Sequence, residues 1–196
     1  VDNSGSDMLL WNTFREGNRD AFARIYNIYI NDLLSYGYRI TSNRQLIKDS
    51  IQDLFLHLWL HRENISETDS IKYYLFRSLR NRIIKNIEKQ DTQPQTAESI
   101  LENIIGDFSV EQVLMAKETE SEQIIRLQKA IGKLSKRQQE VIQLRYHDDF
   151  SLEEIENLMK LNNQSVRNLL HRAISQLRIT IEMAGWSFPF ILSFLY

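Results

Sequence analysis

Residues 150–178 read FSLEEIENLMKLNNQSVRNLLHRAISQLR, two amphipathic segments around a polar break. Ser151 and Glu154 stand at capping-box spacing. The hydroxyl oxygen accepts from an orphan N–H while the carboxylate reaches back to the cap N–H, so a helix starts there. Its apolar face is Leu152, Ile155, Leu158 and Met159. After the polar turn Lys160-Leu161-Asn162-Asn163, a second helix carries Val166, Leu169, Leu170, Ala173, Ile174 and Leu177 at one-face spacing, a run that must be buried. The opposite face carries Gln164, Arg167, Asn168, His171 and Arg172, side chains suited to base edges and phosphates from a helix lying in a major groove. The pattern is that of a helix-turn-helix. Glu156 stands where such a motif usually has a small residue, and Lys160 where it usually has Gly. The lysine is expected to adopt the left-handed conformation at a cost of about 1 kcal/mol, and the glutamate to swing its carboxylate outward. An antiparallel helix pair with a merely solvated face shows the same periodicity, so a DNA-reading role needs support from elsewhere in the chain.

At 196 residues, with 42% hydrophobic and 26% charged residues, the chain has the composition of a soluble globular protein and the length for two small domains. Two prolines and six glycines favour long helices, so the expected class is all-α. With no cysteine there is no disulfide framework, thiolate nucleophile or Cys-ligated metal, and a cytoplasmic location fits best. The first residues, VDNSGSDMLLWNTF, lack the basic segment of a signal peptide. A net charge of −2 argues against a protein that holds DNA by charge alone. Its distribution says more: residues 1–69 carry −3, 70–90 carry +5, 91–123 carry −7 and 124–196 carry +3. Two basic blocks flank an acidic one, as expected of two nucleic-acid-facing modules joined by a linker.

In chain order, Asp7 to Arg15 reads as a short helix, and Gly17-Asn18 breaks it before a longer one over 19–40. Phe22, Ile25, Tyr26, Tyr29, Leu33, Leu34 and Tyr36 line the buried side of the longer helix. Thr41-Ser42-Asn43 caps a third helix, Arg44 to about His61, with Ile47, Ile51, Leu54, Phe55, Leu58 and Trp59 inward. Asp49, Gln52 and Asp53 sit on its outer side. The two carboxylates one turn apart repel mildly, which suits either a basic partner or a solvated face. A polar loop follows, and Ser70 caps a fourth helix running to about Gln90. Arg77, Arg80, Arg82, Lys85 and Lys89 crowd its outer surface, Lys72, Tyr73, Tyr74 and Phe76 mark its start, and Leu75, Leu79, Ile83, Ile84 and Ile87 pack inward. Cations interleaved with aromatics beside a polar loop are what single-stranded DNA binding requires, although the aromatics could equally be core and the cations solubilising. Pro94 within DTQPQT ends the first domain near residue 90. Helix resumes over about 120–133, and Ser135 with Gln138 starts another that reaches Tyr146.

The last residues, MAGWSFPFILSFLY, are strongly apolar but, at 14 residues broken by Pro189, too short to span a bilayer, which takes about 20. No phosphate loop, nucleophile elbow or zinc-ligand set is present. His57 and His61 lie one turn apart without a third ligand. Neither an enzyme nor a cofactor, resident metal or small-molecule substrate is expected.

The pieces together resemble the sigma-70 family of bacterial transcription initiation factors, in its extracytoplasmic-function (ECF) group. The resemblance covers about residues 8–90 and 120–180. Two blocks carry it in the right order: DSIQDLFLHLW from Asp49 with IKYYLFRSLRNRIIKNIEK from Ile71, then LSKRQQEVIQLRY from Leu134 with the helix-turn-helix. It implies a sigma2-like domain (1–90), an acidic linker (91–119) that mimics nascent RNA in the polymerase's exit path, a sigma4-like domain (120–182) and the apolar tail (183–196). It further implies docking of Asp49, Gln52 and Asp53 on the basic clamp helices of the polymerase β′ subunit, with the β flap as a second polymerase contact. Capture of an unstacked −10 base would fall to the loop from Arg62 to Ser70 and the following helix start, including Asn64, Lys72 and Tyr73. Arg77, Arg80, Asn81, Arg82 and Lys85 would hold backbone, and Asn163, Gln164, Ser165, Arg167, Asn168, His171 and Arg172 would read the −35 element as duplex. Base extraction costs a few kcal/mol, which places aromatics and cations beside the loop. An anti-sigma factor is the expected regulator, with the tail as one of its contacts or as an autoinhibitory segment. Two rival readings are a stand-alone dimeric helix-turn-helix regulator and a helical adaptor that binds only protein.

Overall fold

The computed structural model describes residues 4–91 and 122–182. The chain divides into two compact units, with the division between Gly106 and Asp107. Every regular element among the described residues is helical. The acidic linker and the apolar tail lie outside the described residues.

The first unit holds α1 (Ser4–Arg15), α2 (Arg19–Ile40), α3 (Arg44–His61), a single 3-10 turn (Arg62–Asn64) and α4 (Ile71–Asp91). Gly17, at φ +92°, turns the chain between α1 and α2, a conformation that costs glycine nothing. Asn18 then caps α2, its side chain accepting from the N–H groups of Asp20 and Ala21, and Asn43 caps α3 by accepting from Leu46. Helices α2, α3 and α4 pack pairwise around Ile25, Leu33, Tyr36, Ile47, Leu54, Leu58, Leu75 and Leu79, all essentially inaccessible. α2 and α3 approach so closely at Gly37 that a Cβ there would stand 2.6 Å from Ile47 Cγ2. α1 packs on α2, α4 and the 3-10 turn. The Tyr29 hydroxyl donates to Asp7 Oδ2 at 3.4 Å. Burial first, and the neighbouring Asp7 second, push the Tyr29 phenol far above its ordinary value, so it stays a neutral donor.

Three expectations for this unit are corrected. Tyr26, expected in the core, is 41% exposed, because its ring only laps the edge of Phe55 at the rim of the α2–α3 contact. Phe22, Leu34 and Trp59 are half-buried rather than inward. Arg80, expected on the outer surface, is only 7% exposed. It lies one turn from both Phe76 and Ile83, and the buried face of α4 is wide enough to take in its position.

The second unit holds α5 (Glu122–Gly132), α6 (Lys136–Ile142), a π turn (Gln143–His147), α7 (Leu152–Met159) and α8 (Asn163–Glu182). Both capping boxes form: Ser135 with Gln138 opens α6, and Ser151 with Glu154 opens α7. The helix expected to run to Tyr146 changes to the wider π turn at Gln143 and closes with the Asp148 N–H donating to the Gln143 carbonyl and that of Phe150 to Leu144. α8 packs on α5, α6 and α7. Its predicted stripe is inside, with Val166, Leu170, Ala173 and Leu177 buried against Val141, Ile155 and Leu158 of the same core, while Leu169 and Ile174 sit at its edge.

Candidate nucleic-acid and polymerase interface

Three surfaces carry the predicted site residues. On α3, Asp49, Gln52 and Asp53 are all exposed, on the side opposite Ile47, Ile51, Leu54 and Leu58. Gln45 Nε2 donates to Asp49 Oδ1 at 2.8 Å, so the carboxylate is held along the helix without being neutralised.

The second surface is the loop from Arg62 to Ser70 with α4. The loop is anchored from within and from outside. Ile65 inserts into the core at 7% exposure. Trp11 of α1 is fully buried and donates its indole N–H to the Ser66 carbonyl at 3.0 Å. Its ring packs against Phe14 and Tyr74, with centroids 5.3 and 5.0 Å away. Arg15 pairs with Glu67 at 3.3 Å. At the loop's exit, Thr68 Oγ1 donates to the Ser70 carbonyl, and Ser70 Oγ accepts from the Tyr73 N–H at 3.1 Å, the predicted cap of α4.

Several predicted contacts are therefore occupied in holding the loop. The Ser70 hydroxyl caps the helix. Arg62 is half-buried: one guanidinium N–H donates to the Trp59 carbonyl at 2.8 Å, another pairs with Glu63, and the cation lies 4.9 Å from the Trp59 ring centroid, beside Gly17. Phe76 is wholly buried and stacks on Tyr36 at 4.8 Å, with the Lys72 ammonium 5.8 Å from its centroid, so this aromatic is core. Tyr73 and Tyr74 are both half-buried. Asn64, Arg77 and Asn81 are open to solvent. Arg82 and Lys85 are placed differently from Arg77. Together with Asn86 and Lys89 they face α3 across an open groove of about 390 Å³, whose other wall is Asp53, Leu56, His57, Leu60 and His61.

The third surface is the outer face of α8. Asn163, Gln164, Arg167, Asn168, His171 and Arg172 are exposed along it, and Ser165 is half-buried. Lys160 adopts the left-handed conformation at φ +54°, ψ +48°, as expected of the residue where glycine is usual, and its N–H closes α7 on the Glu156 carbonyl. Asn162 caps α8, its Oδ1 accepting from the Ser165 N–H at 2.8 Å. The Glu156 carboxylate turns outward and accepts from Asn163 Nδ2. Asn163 Oδ1 in turn accepts from Arg167 Nε at 2.6 Å, and Gln164 Nε2 donates to Asn168 Oδ1 at 3.0 Å. The polar face is thus pre-arranged by pairs one turn apart, with Glu156 fixing the first of them.

The residues missed in the sequence are the supports: Trp11, Arg15 and Ile65 for the loop, Leu56 and Leu60 for the groove, and Asn162 for α8. Their partners lie up to 55 residues away, and no spacing rule reaches that far. Asn162 alone carries a local signal, an Asn three residues before a helical N–H.

With the geometry established, the chain can be set beside known proteins. The family model described as sigma-70 region 2 matches residues 25–93, and that described as sigma-70 region 4 matches residues 124–177. The chain is similar to the ECF RNA polymerase sigma factor SigW of Bacillus subtilis, 25% identical over 84% of this chain and 90% of that one. It is similar to the ECF RNA polymerase sigma factor SigL of Mycobacterium tuberculosis, 25% identical over 82% and 89%. In fold it is similar to CnrH, solved with the cytosolic domain of CnrY, at a TM-score of 0.58 and 18% identity over 90% of this chain and 97% of that one. It also resembles RpoE of Bartonella quintana, solved with the anti-sigma factor NepR, at 0.59 and 19% over 82% and 96%. Among the described residues no helix is long and apolar enough to cross a membrane.

Proposed function

Since this chain belongs to the sigma-70 family of transcription initiation factors, in its ECF group, we infer that it binds core RNA polymerase, directs it to specific promoters and helps open the −10 region. It acts in the cytoplasm, as a specificity factor rather than a catalyst. Residues 1–90 form the polymerase-docking and −10 domain, 91–119 a linker and 120–182 the −35 domain. Asp49, Gln52 and Asp53 meet a basic surface of the polymerase. The loop around Asn64, with Tyr73, receives an extruded −10 base, and Arg77 and Asn81 hold the adjoining backbone. The face of α8 from Asn163 to Arg172 reads the −35 duplex. Its partners are core polymerase, promoter DNA and an anti-sigma factor.

The observation that carries this reading is the pairing, within one chain and in family order, of an anchored polar loop beside a cationic helix with a separate helix-turn-helix whose polar face is open. A stand-alone regulator would need only the second. The test is co-elution with core RNA polymerase of the source organism, comparing the natural chain with Asp49→Arg/Asp53→Arg. A stable complex lost in the double variant is expected. Equal complexes with both chains would remove the docking assignment, and no complex with either would favour the stand-alone regulator.

A further inference from the structure

The departure at Glu156 gives the second unit a hydrogen-bonded relay that runs from α7 into the polar face of α8. The half-buried Glu156 accepts at its carboxylate from Asn163 Nδ2, and Asn163 Oδ1 accepts from Arg167 Nε at 2.6 Å. A carboxylate only accepts and a guanidinium only donates, so a single orientation of the Asn163 amide serves both. Each end of that amide is held inside the protein, and Asn163 cannot turn it to suit a base. With Nε committed to Asn163, the exposed Arg167 presents its two terminal amino groups as the outward edge of the guanidinium. Two such donors side by side match the O6 and N7 acceptors of guanine, whereas adenine puts an amino group where guanine has O6. The other pair on this face is different. Gln164 donating to Asn168 at 3.0 Å lies wholly within α8 and joins two amides that exchange donor and acceptor by turning.

We propose that Glu156, although it lies outside α8, is a specificity-determining residue: through Asn163 it fixes the Arg167 fork end-on to a guanine of the −35 duplex. This deepens the promoter-factor reading and rests on it. Holding the fork is what turns a cation that any phosphate would attract into a reader of one base. The carboxylate itself works against binding, because a negative charge near the phosphate backbone lowers affinity for every sequence alike. Glu156 therefore contributes only through the guanine it selects. Asn163 becomes a positioning residue rather than a base contact.

The test is a selection. The full chain, assembled with core polymerase, is presented with duplexes that keep the −10 region of a promoter it transcribes and are randomised across the −35 region, and the bound fraction is sequenced. The natural chain is expected to select guanine at one base pair about tenfold over the other bases, as a bidentate contact provides. Arg167→Lys keeps the charge but loses the fork, so it should abolish that preference and thereby identify the base pair. Glu156→Ala places a small residue where such motifs usually have one, so the domain folds. It should cut the preference to about threefold while total binding holds or rises. Glu156→Gln, whose carbonyl still accepts from Asn163, should restore the preference. In an Arg167→Ala background, Glu156→Ala should change nothing further. A preference that survives Glu156→Ala, one that Glu156→Gln fails to restore, or a loss of binding spread evenly over all sequences would overturn the proposal and leave the −35 reading standing. A natural chain that selects no −35 sequence would overturn that reading and the proposal together.

Discussion

The loop from Arg62 to Ser70 and the outer face of α8 are both polar, and both are assigned to promoter DNA, yet they are held in different ways. α8 presents its side chains from a regular helix, and the pairs that orient them, Arg167 on Asn163 and Gln164 on Asn168, are one turn apart. The loop has almost no regular structure of its own. It is held by Trp11 and Arg15 from another helix and by Ile65 in the core. A surface that reads rigid duplex can be built from local periodicity. A surface that must receive a base pulled from its stack needs an irregular backbone, and irregular backbone keeps one shape only when tertiary contacts over-determine it.

The two regions should therefore fail differently. Trp11→Ala removes a fully buried aromatic and is expected to cost about 3–5 kcal/mol, read as a shift in the denaturant midpoint of the first unit. The milder Trp11→Phe keeps most of the packing and removes the donor to Ser66, costing about 1 kcal/mol. If neither substitution changes stability, the loop is not held from α1. In the second unit, Ser151→Ala deletes one half of a capping box and should cost about 1 kcal/mol by thermal unfolding. Lys160→Gly should instead stabilise the turn by about 0.5–1 kcal/mol, because it relieves the left-handed backbone, part of the gain being offset by glycine's freedom in the unfolded chain. A loss of stability on that change would show that the lysine side chain does more than tolerate its conformation. The smallest effect belongs to Arg15→Ala. Its partner Glu67 is 74% exposed at the side chain, so the pair should contribute under about 1 kcal/mol even though it spans the loop.

The same contrast explains what was legible in the sequence. The bounds of α2 and α3, the caps at Ser70, Ser135 and Ser151, the left-handed Lys160 and the buried stripe of α8 all follow from spacing and turn chemistry. So does the exposed face from Asn163 to Arg172. Arg80 was misplaced because a cation on a helix defaults to the surface, whereas the buried face of α4 is wide enough to include its position. Phe76 was left open between base stacking and core for want of Tyr36, which lies 40 residues earlier in the chain and stacks on it. Arg62 and Ser70 were placed at the −10 base by the family resemblance, and Ser70 was also read as the cap of α4; here the polar atoms of both shape the loop itself. Arg82 and Lys85 share the cationic run with Arg77, and only the packing of α4 on α3 turns them toward a different groove.

The most direct measurement compares transcription initiation by core polymerase supplied with the natural chain, with Trp11→Phe or with Arg167→Ala/Arg172→Ala. Each is assayed on an intact promoter and on one with its −10 region already unpaired. On the intact promoter both variants should initiate roughly fivefold to tenfold more slowly, the equivalent of about 1–1.4 kcal/mol. Unpairing the −10 region should restore the Trp11 variant and leave the α8 variant impaired. Rescue of both, or of neither, would contradict a division of labour in which a braced loop captures the melted strand while a regular helix reads the duplex.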